Sequence, residues 1–310
     1  MLRCLLRHRA AALWLIFHQL WSARRICACS QRIIVLLVLW TTQHSLHGKE
    51  STFAGQRAST SHKSRLDAIR SIPLKNISPR YRRRVHQVLS DSSLYRRLPT
   101  QMVDCNPQLF TFLAKNPEML VEIWREMGIS RVDLVRSGSN TFQLTDNAGT
   151  TGELIIVEQK CDQRAQNRIV MYSDGSYEGK PFKRPVRAQC VMLLRTGSIK
   201  ETNGRDYVAA RLDTFIRIDR ASIELFAKAV HPLVGRTADA NFGDTMAFVS
   251  TFSQAAERQP ETVQKLVNGL PRVSRARRQE LVRLAYQCGS RQLPTLKTAT
   301  SGTLVEDELR

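Results

Sequence analysis

The sequence carries no motif of committed chemistry. None of its 310 residues form a Gly-rich phosphate loop, a nucleophile elbow or an HExxH helix, so the commonest signatures of nucleotide, serine-hydrolase and zinc-protease chemistry are missing. A metal is not expected either. Beyond residue 48 there is no CxxC and no His-x3–5-His, and His62, His86 and His231 stand far apart. No cofactor is implied by any other stretch. Long apolar runs are also missing: the run IIVLLVLW, Ile33 to Trp40, is eight residues, whereas ~20 are needed to span a bilayer.

Acidic residues are absent from the first 48 positions, and this sets up the charge distribution. The net charge is +20, of which residues 1–48 hold +6, residues 49–98 hold +9 and residues 99–310 hold +5. Basic residues including Arg24, Arg25 and Arg32 precede the short apolar run, and a polar stretch ending at Gly48 follows it. A basic start, a short apolar centre and a small residue at the cut describe a secretory signal. The expectation is export to the periplasm or the outside of the cell. The alternative is an uncleaved membrane anchor through residues 10–40, since AAALWLIFHQLW adds a second apolar patch.

Cleavage near Gly48 would leave four cysteines, Cys105, Cys161, Cys190 and Cys288. In an oxidising compartment these allow three pairings. Cys161 and Cys190 fall at a strand end and within a strand, so they are the first disulfide candidates. Four buried thiols are the alternative.

Residues 49–78 are rich in Ser, Thr, Lys and Arg and show little apolar periodicity, which reads as a flexible basic linker. A single α+β domain is expected over 79–288, with a disordered tail at 289–310. Ser78-Pro79 starts a helix with Arg82, Arg83 and Arg84 on its surface, a candidate anion-binding face. Two Asn-Pro pairs, Asn106-Pro107 and Asn116-Pro117, each start a further short helix, because a capping side chain precedes a residue of pre-set φ that lacks an amide donor. Leu109, Phe110, Phe112 and Leu113 give the first a buried face. Leu120, Ile123, Trp124 and Met127 do the same for the second, which Gly128 ends. Glu118 and Glu122 read as surface charges.

After Gly128 the period changes to alternation. RVDLVR, TFQLTD, ELIIVEQK, RIVMYSDG, VRAQCVMLLR and DYVAARLDTFIRID give a meander of about six antiparallel strands, six to seven in all, with one dry face and Arg211, Asp213 and Arg217 on the other. Helices return at ASIELFAKAV, interrupted by His231-Pro232, then at TADANFGDTMAFVSTFSQAAERQ, PETVQKLVNGL and SRARRQELVRLAYQC. Asp239 and Asn241 read as caps before Phe242.

A short strand at TQMVD, the paired helices of DCNPQLFTFLAKNPEMLVEIW, about six antiparallel strands and a long helix follow one another between Leu98 and about Arg258. This order resembles the START-like, polyketide-cyclase-like helix-grip superfamily (SRPBCC), by topology only. The chain is also similar to uncharacterised exported bacterial proteins. The superfamily resemblance implies a curved sheet gripping the long helix around an apolar cavity. That cavity would be lined by Met192, Leu194, Leu212 and Phe215 from strands and by Phe242, Met246 and Val249 from the helix. The same residues would equally serve as a filled core.

Three functions follow as expectations. The first is a noncatalytic exported protein binding a lipid or apolar small molecule. The second is an envelope scaffold whose basic arm docks on an anionic surface, with nucleic acid not expected as a partner. The third is a hydrolase or cyclase using His231 with Asp239 and Asp244, for which the sequence supplies no nucleophile or metal set.

Overall fold

The computed structural model describes residues 57–146, 148–162, 166–179, 184–202, 204–219 and 231–290. The expected signal or anchor at 1–48, the helix expected at 221–230 and the tail from 291 lie outside the described residues. Seven α-helices and eight strands follow in the order α1 (His62–Arg70), α2 (Pro79–Ser90), β1 (Leu94–Arg97), β2 (Gln101–Val103), α3 (Pro107–Lys115), α4 (Pro117–Glu126), β3 (Asp133–Arg136), β4 (Thr141–Thr145), β5 (Thr150–Lys160), β6 (Asn167–Tyr177), β7 (Val186–Lys200), β8 (Asp206–Ile218), α5 (His231–Arg258), α6 (Pro260–Asn268) and α7 (Arg275–Ser290). All strand pairs are antiparallel, in the order β1-β8-β7-β6-β5-β4-β3, with β2 also on β8. The α+β class and the two short helices ahead of the main meander are as the sequence indicates. The strand beyond the expected set is β1, while β2 is the short strand expected at TQMVD, and the two share one edge of β8.

The Asn-Pro pairs do begin helices, but by different means. Asn106 Oδ1 accepts from the amides of Gln108 and Leu109 at 2.9 and 3.2 Å, a genuine side-chain cap. Asn116 makes no cap bond to α4. Its Nδ2 donates to the Phe112 carbonyl, and its Oδ1 accepts from Arg136 and Arg277. Gly128, at φ +69°, closes α4 with its amide on the Arg125 carbonyl and the Ile129 amide on the Trp124 carbonyl, the paired bonds of a Schellman ending.

Both faces of the sheet are dry, which corrects the expectation of one. On the inner face Leu154, Ile156, Ile169, Met171, Met192, Leu194, Val208, Ala210 and Leu212 share a core with residues of α3 to α7. The alternate positions Ile155, Val170, Tyr172, Val191, Leu193 and Phe215 pack on the outer face beneath Ala68 and Ile72 around α1 and Val85, Val88 and Leu89 of α2. Strands covered on both sides read as continuous apolar runs, and ELIIVE, RIVMY and QCVMLL are such runs.

Residues 57–78 therefore do not behave as the linker their composition indicates. Ser59 pairs with Arg97 as an added β-bridge, Ser61 caps α1, and α1 lies on the outer layer. Few apolar residues are needed there, because Ala68, Ile72 and Ile77 are enough to close the edge of a small cluster. Gly289 and Ser290, assigned to the tail, complete α7. His231 and Pro232 are the first described residues of α5, so the interruption expected between them and the helix ahead falls outside the described residues. Asp239 and Asn241 accordingly lie inside α5 and are not caps.

Candidate functional site

Six of the seven predicted cavity residues, Met192, Leu194, Leu212, Phe242, Met246 and Val249, meet in the inner core, and all are buried. They fill one another's space. Phe215 does not join them. It is fully buried on the opposite face, its ring 4.9 Å from that of Tyr95, because three steps along β8 from Leu212 reverse the side-chain direction.

An apolar cleft lies at one end of this core, between α3 and the inner face of β6 and β7. Phe110, Thr111 and Ala114 supply one wall, and Cys161, Asn167, Ile169, Leu194 and Thr196 supply the other. Its cavity volume is about 10 Å³, room for roughly one water molecule and far below the ~300 Å³ of a typical small-molecule site. Leu194 is the one predicted residue that touches it. Register explains the rest: Asn167 pairs with Thr196 and Ile169 with Leu194 across β6 and β7, so the four form two inner-face rungs. Asn167 Nδ2 donates to Thr111 Oγ1 at 3.4 Å, while its Oδ1 is buried and has no hydrogen-bond partner. An unpartnered buried acceptor costs about 1–3 kcal/mol, so a donor brought into the cleft would be favoured there.

Cys161 lines the same cleft. Burial pushes its thiol up, only partly offset by Lys115, so it stays protonated and is a poor nucleophile. Its expected disulfide partner is far away. Cys190 sits opposite Ser173 of β6, whereas Lys160, just before Cys161, sits opposite Arg168. About six residues of β6 separate the two levels, roughly 20 Å at ~3.3 Å per residue. Burial pushes the Cys190 thiol up to about 12.

The outer layer contains a second polar cluster, which the sequence reading placed in solvent. Asp213 is fully buried. It accepts from Tyr95 Oη at 2.8 Å, Arg97 Nε at 2.7 Å and Arg195 Nη2 at 2.8 Å, and Arg97 and Arg195 reach on to Asp67 of α1. Burial works to raise Asp67, but the two guanidiniums outweigh it and hold its carboxyl below the usual range. This network ties α1 to β1, β7 and β8.

Other candidate groups are similarly absorbed. Glu118 and Glu122 are buried rather than on the surface: Glu118 grips Arg136 through both oxygens, and Glu122 pairs with Arg125. Asp239 binds Arg96. Within the anion-binding trio, Arg82 donates to the carbonyls of Leu74, Lys75 and Ile77, so its role is to hold the turn before α2. Arg83 and Arg84 are exposed. The side chain of His231 lies outside the described residues, and among those residues no His, Cys, Asp and Glu cluster suits a metal ion.

The cleft residues Asn167 and Thr196 had a sequence signal that went unread. Each is a polar residue at the next inward position beyond an apolar inward run, two before Ile169 and two after Leu194. The contribution of α3 had no such signal, since its apolar stripe is the same whether it closes a core or lines an opening.

Among the described residues no helix is long and apolar enough to cross a membrane. No protein family matches the chain, and no curated protein does. Solved structures similar to part of it include a conserved protein of Geobacillus kaustophilus (TM-score 0.32, 8% identity, 49% of this chain and 93% of that one). A hypothetical protein of Helicobacter pylori matches at TM-score 0.32 and 10% identity, over 51% of this chain and 87% of the other. The terminal oxygenase of carbazole 1,9a-dioxygenase from Novosphingobium sp. KA1 matches at TM-score 0.26 and 10% identity, over 71% and 60%. At these scores they carry no argument about this chain beyond what its own geometry gives: an open antiparallel sheet with helices on both faces.

Proposed function

We propose that this is an exported, noncatalytic protein that binds an apolar small molecule or lipid chain carrying one hydrogen-bond donor, at the cleft between α3 and β6–β7. The observation that supports it is Asn167 Oδ1, a buried acceptor without a partner beside an otherwise apolar lining. The helix-grip relationship belongs to the same proposal, supported by the antiparallel sheet and the long α5 across its inner face. The ligand's chain would part α3 from Ile169 and Leu194, while its donor meets Asn167. Export rests on the acid-free, basic start and short apolar run of residues 1–48. The anionic-surface reading is weaker, because Arg82, one of the three arginines of the basic face, already donates to backbone carbonyls.

The test compares a long-chain alcohol with its methyl ether as probes of the purified protein, read by native mass spectrometry and by fluorescence competition. The alcohol should bind more tightly by about fivefold, the worth of one net hydrogen bond. Asn167→Ala should erase that difference, and Ala114→Trp should abolish binding of both. Equal binding of either probe to wild type and to Ala114→Trp would exclude the cleft as the site.

A further inference from the structure

Cys105 and Cys288, both free thiols in this structure, each adjoin a residue that packs on one face of α5. Cys105 follows β2 and precedes the cap of α3, and it is buried. Its neighbour Asn106 donates its amide to Ser253 Oγ of α5 at 3.3 Å. Cys288 lies in the last turn of α7 and is also buried. Beside it, a Cβ added to Gly289 would stand 3.4 Å from the Glu257 carbonyl oxygen and 3.6 Å from that of Ala256. Ser253, Ala256 and Glu257 are three and four positions apart, so they share a helix face. Both cysteines belong to the inner core cluster along with Phe252 and Ala256.

We propose that Cys105 and Cys288 form a disulfide in an oxidising compartment, locking α7 to the segment that enters α3. Two thiols would become one S–S bond, releasing two protons and two electrons. A small-molecule or protein disulfide would take up both the electrons and the protons and leave as two thiols. Electrostatics agree with the proximity. Burial, opposed by the Ser253 hydroxyl and reinforced by Cys288, holds the Cys105 thiol well above its ordinary range. A buried protonated thiol attacks slowly. The bond is therefore made before α7 settles onto α5, and once covered it is protected from reductant. It would enclose all of β3 to β8 in one loop, where a crosslink restricts the unfolded chain strongly. The proposal does not depend on the cleft binding anything.

The experiment is peptide mapping of the full chain recovered from an oxidising compartment, alkylated in denaturant without reductant. A peptide containing Cys105 joined to one containing Cys288 is expected, with Cys161 and Cys190 alkylated. Alkylation of Cys105 and Cys288, or a link of either to any other cysteine, would overturn the assignment. A second arm refolds reduced protein in a glutathione redox buffer. The Cys161→Ser/Cys190→Ser double variant should lose the thiols of Cys105 and Cys288 with no change in oligomeric state. If it keeps both after refolding to a native circular dichroism spectrum, the proposal fails, and this arm requires neither Cys105 nor Cys288 to be replaced.

Discussion

Asp213 is the residue on which the outer layer depends most. It receives one neutral and two charged donors in a fully buried site. Asp213→Ala would leave Arg97 and Arg195 without their buried counter-charge, and breaking such a site costs ~3–5 kcal/mol. Urea unfolding should show that loss. A change under 1 kcal/mol would mean that Asp67 alone neutralises both arginines. Tyr95 adds a pH dependence at the same place. Burial, followed by the Asp213 carboxylate, raises its hydroxyl well above the ordinary 10.0. A raised folded value means that the stabilisation is complete below pH 10 and declines above it, as the unfolded state ionises first. Tyr172 is raised by burial and by Asp174 and contributes in the same direction. Stability measured from pH 8 to 11 should fall in the wild type and fall less steeply in Tyr95→Phe. Equal slopes would show that Tyr95 ionises in the folded state as easily as in the unfolded.

At the level of elements, α1 and α2 carry the largest surprise. Their composition is that of a charged linker and a basic surface helix, yet Val85, Val88 and Ala68 are completely buried. A chain beginning at Ser93 would keep every strand but uncover Ile155, Val170, Tyr172, Val191, Leu193 and Phe215. An apolar patch of that kind is an association site. The shortened protein is expected to aggregate or to bind a hydrophobic dye strongly, measured by light scattering and dye fluorescence. A monodisperse, dye-silent product would show that the outer layer is dispensable. The linker reading failed for a definite reason: three or four apolar residues are too few to create periodicity in a window, yet they suffice when the surface they cover has already been made apolar by the strands.

For the molecule as a whole, the sheet is shared by two cores, and β8 takes part in both through alternate residues. Loss of either layer therefore disturbs the other. Trp124, buried on α4 with its ring 5.7 Å from that of Phe248, reports on the inner layer, while far-ultraviolet circular dichroism reports on the strands. The two signals are expected to change together in denaturant. Separate midpoints would show that the layers unfold independently.

The α+β class, the paired Asn-Pro helices, the strands of the meander and the inward set Met192, Leu194 and Leu212 were legible in the amino-acid sequence. Caps, turn residues and period-two alternation act over a few neighbours and are written in consecutive residues. Only the tertiary structure decided that Phe215 faces away from Leu212's core, that Glu118 and Asp213 are buried partners of arginines, that Cys161 and Cys190 stand at different levels of the sheet, and that residues 57–90 close a second face. Each depends on register and on which surface a distant segment meets. Residue spacing fixes the direction of a side chain relative to its neighbours, whereas burial is fixed by whatever packs above it.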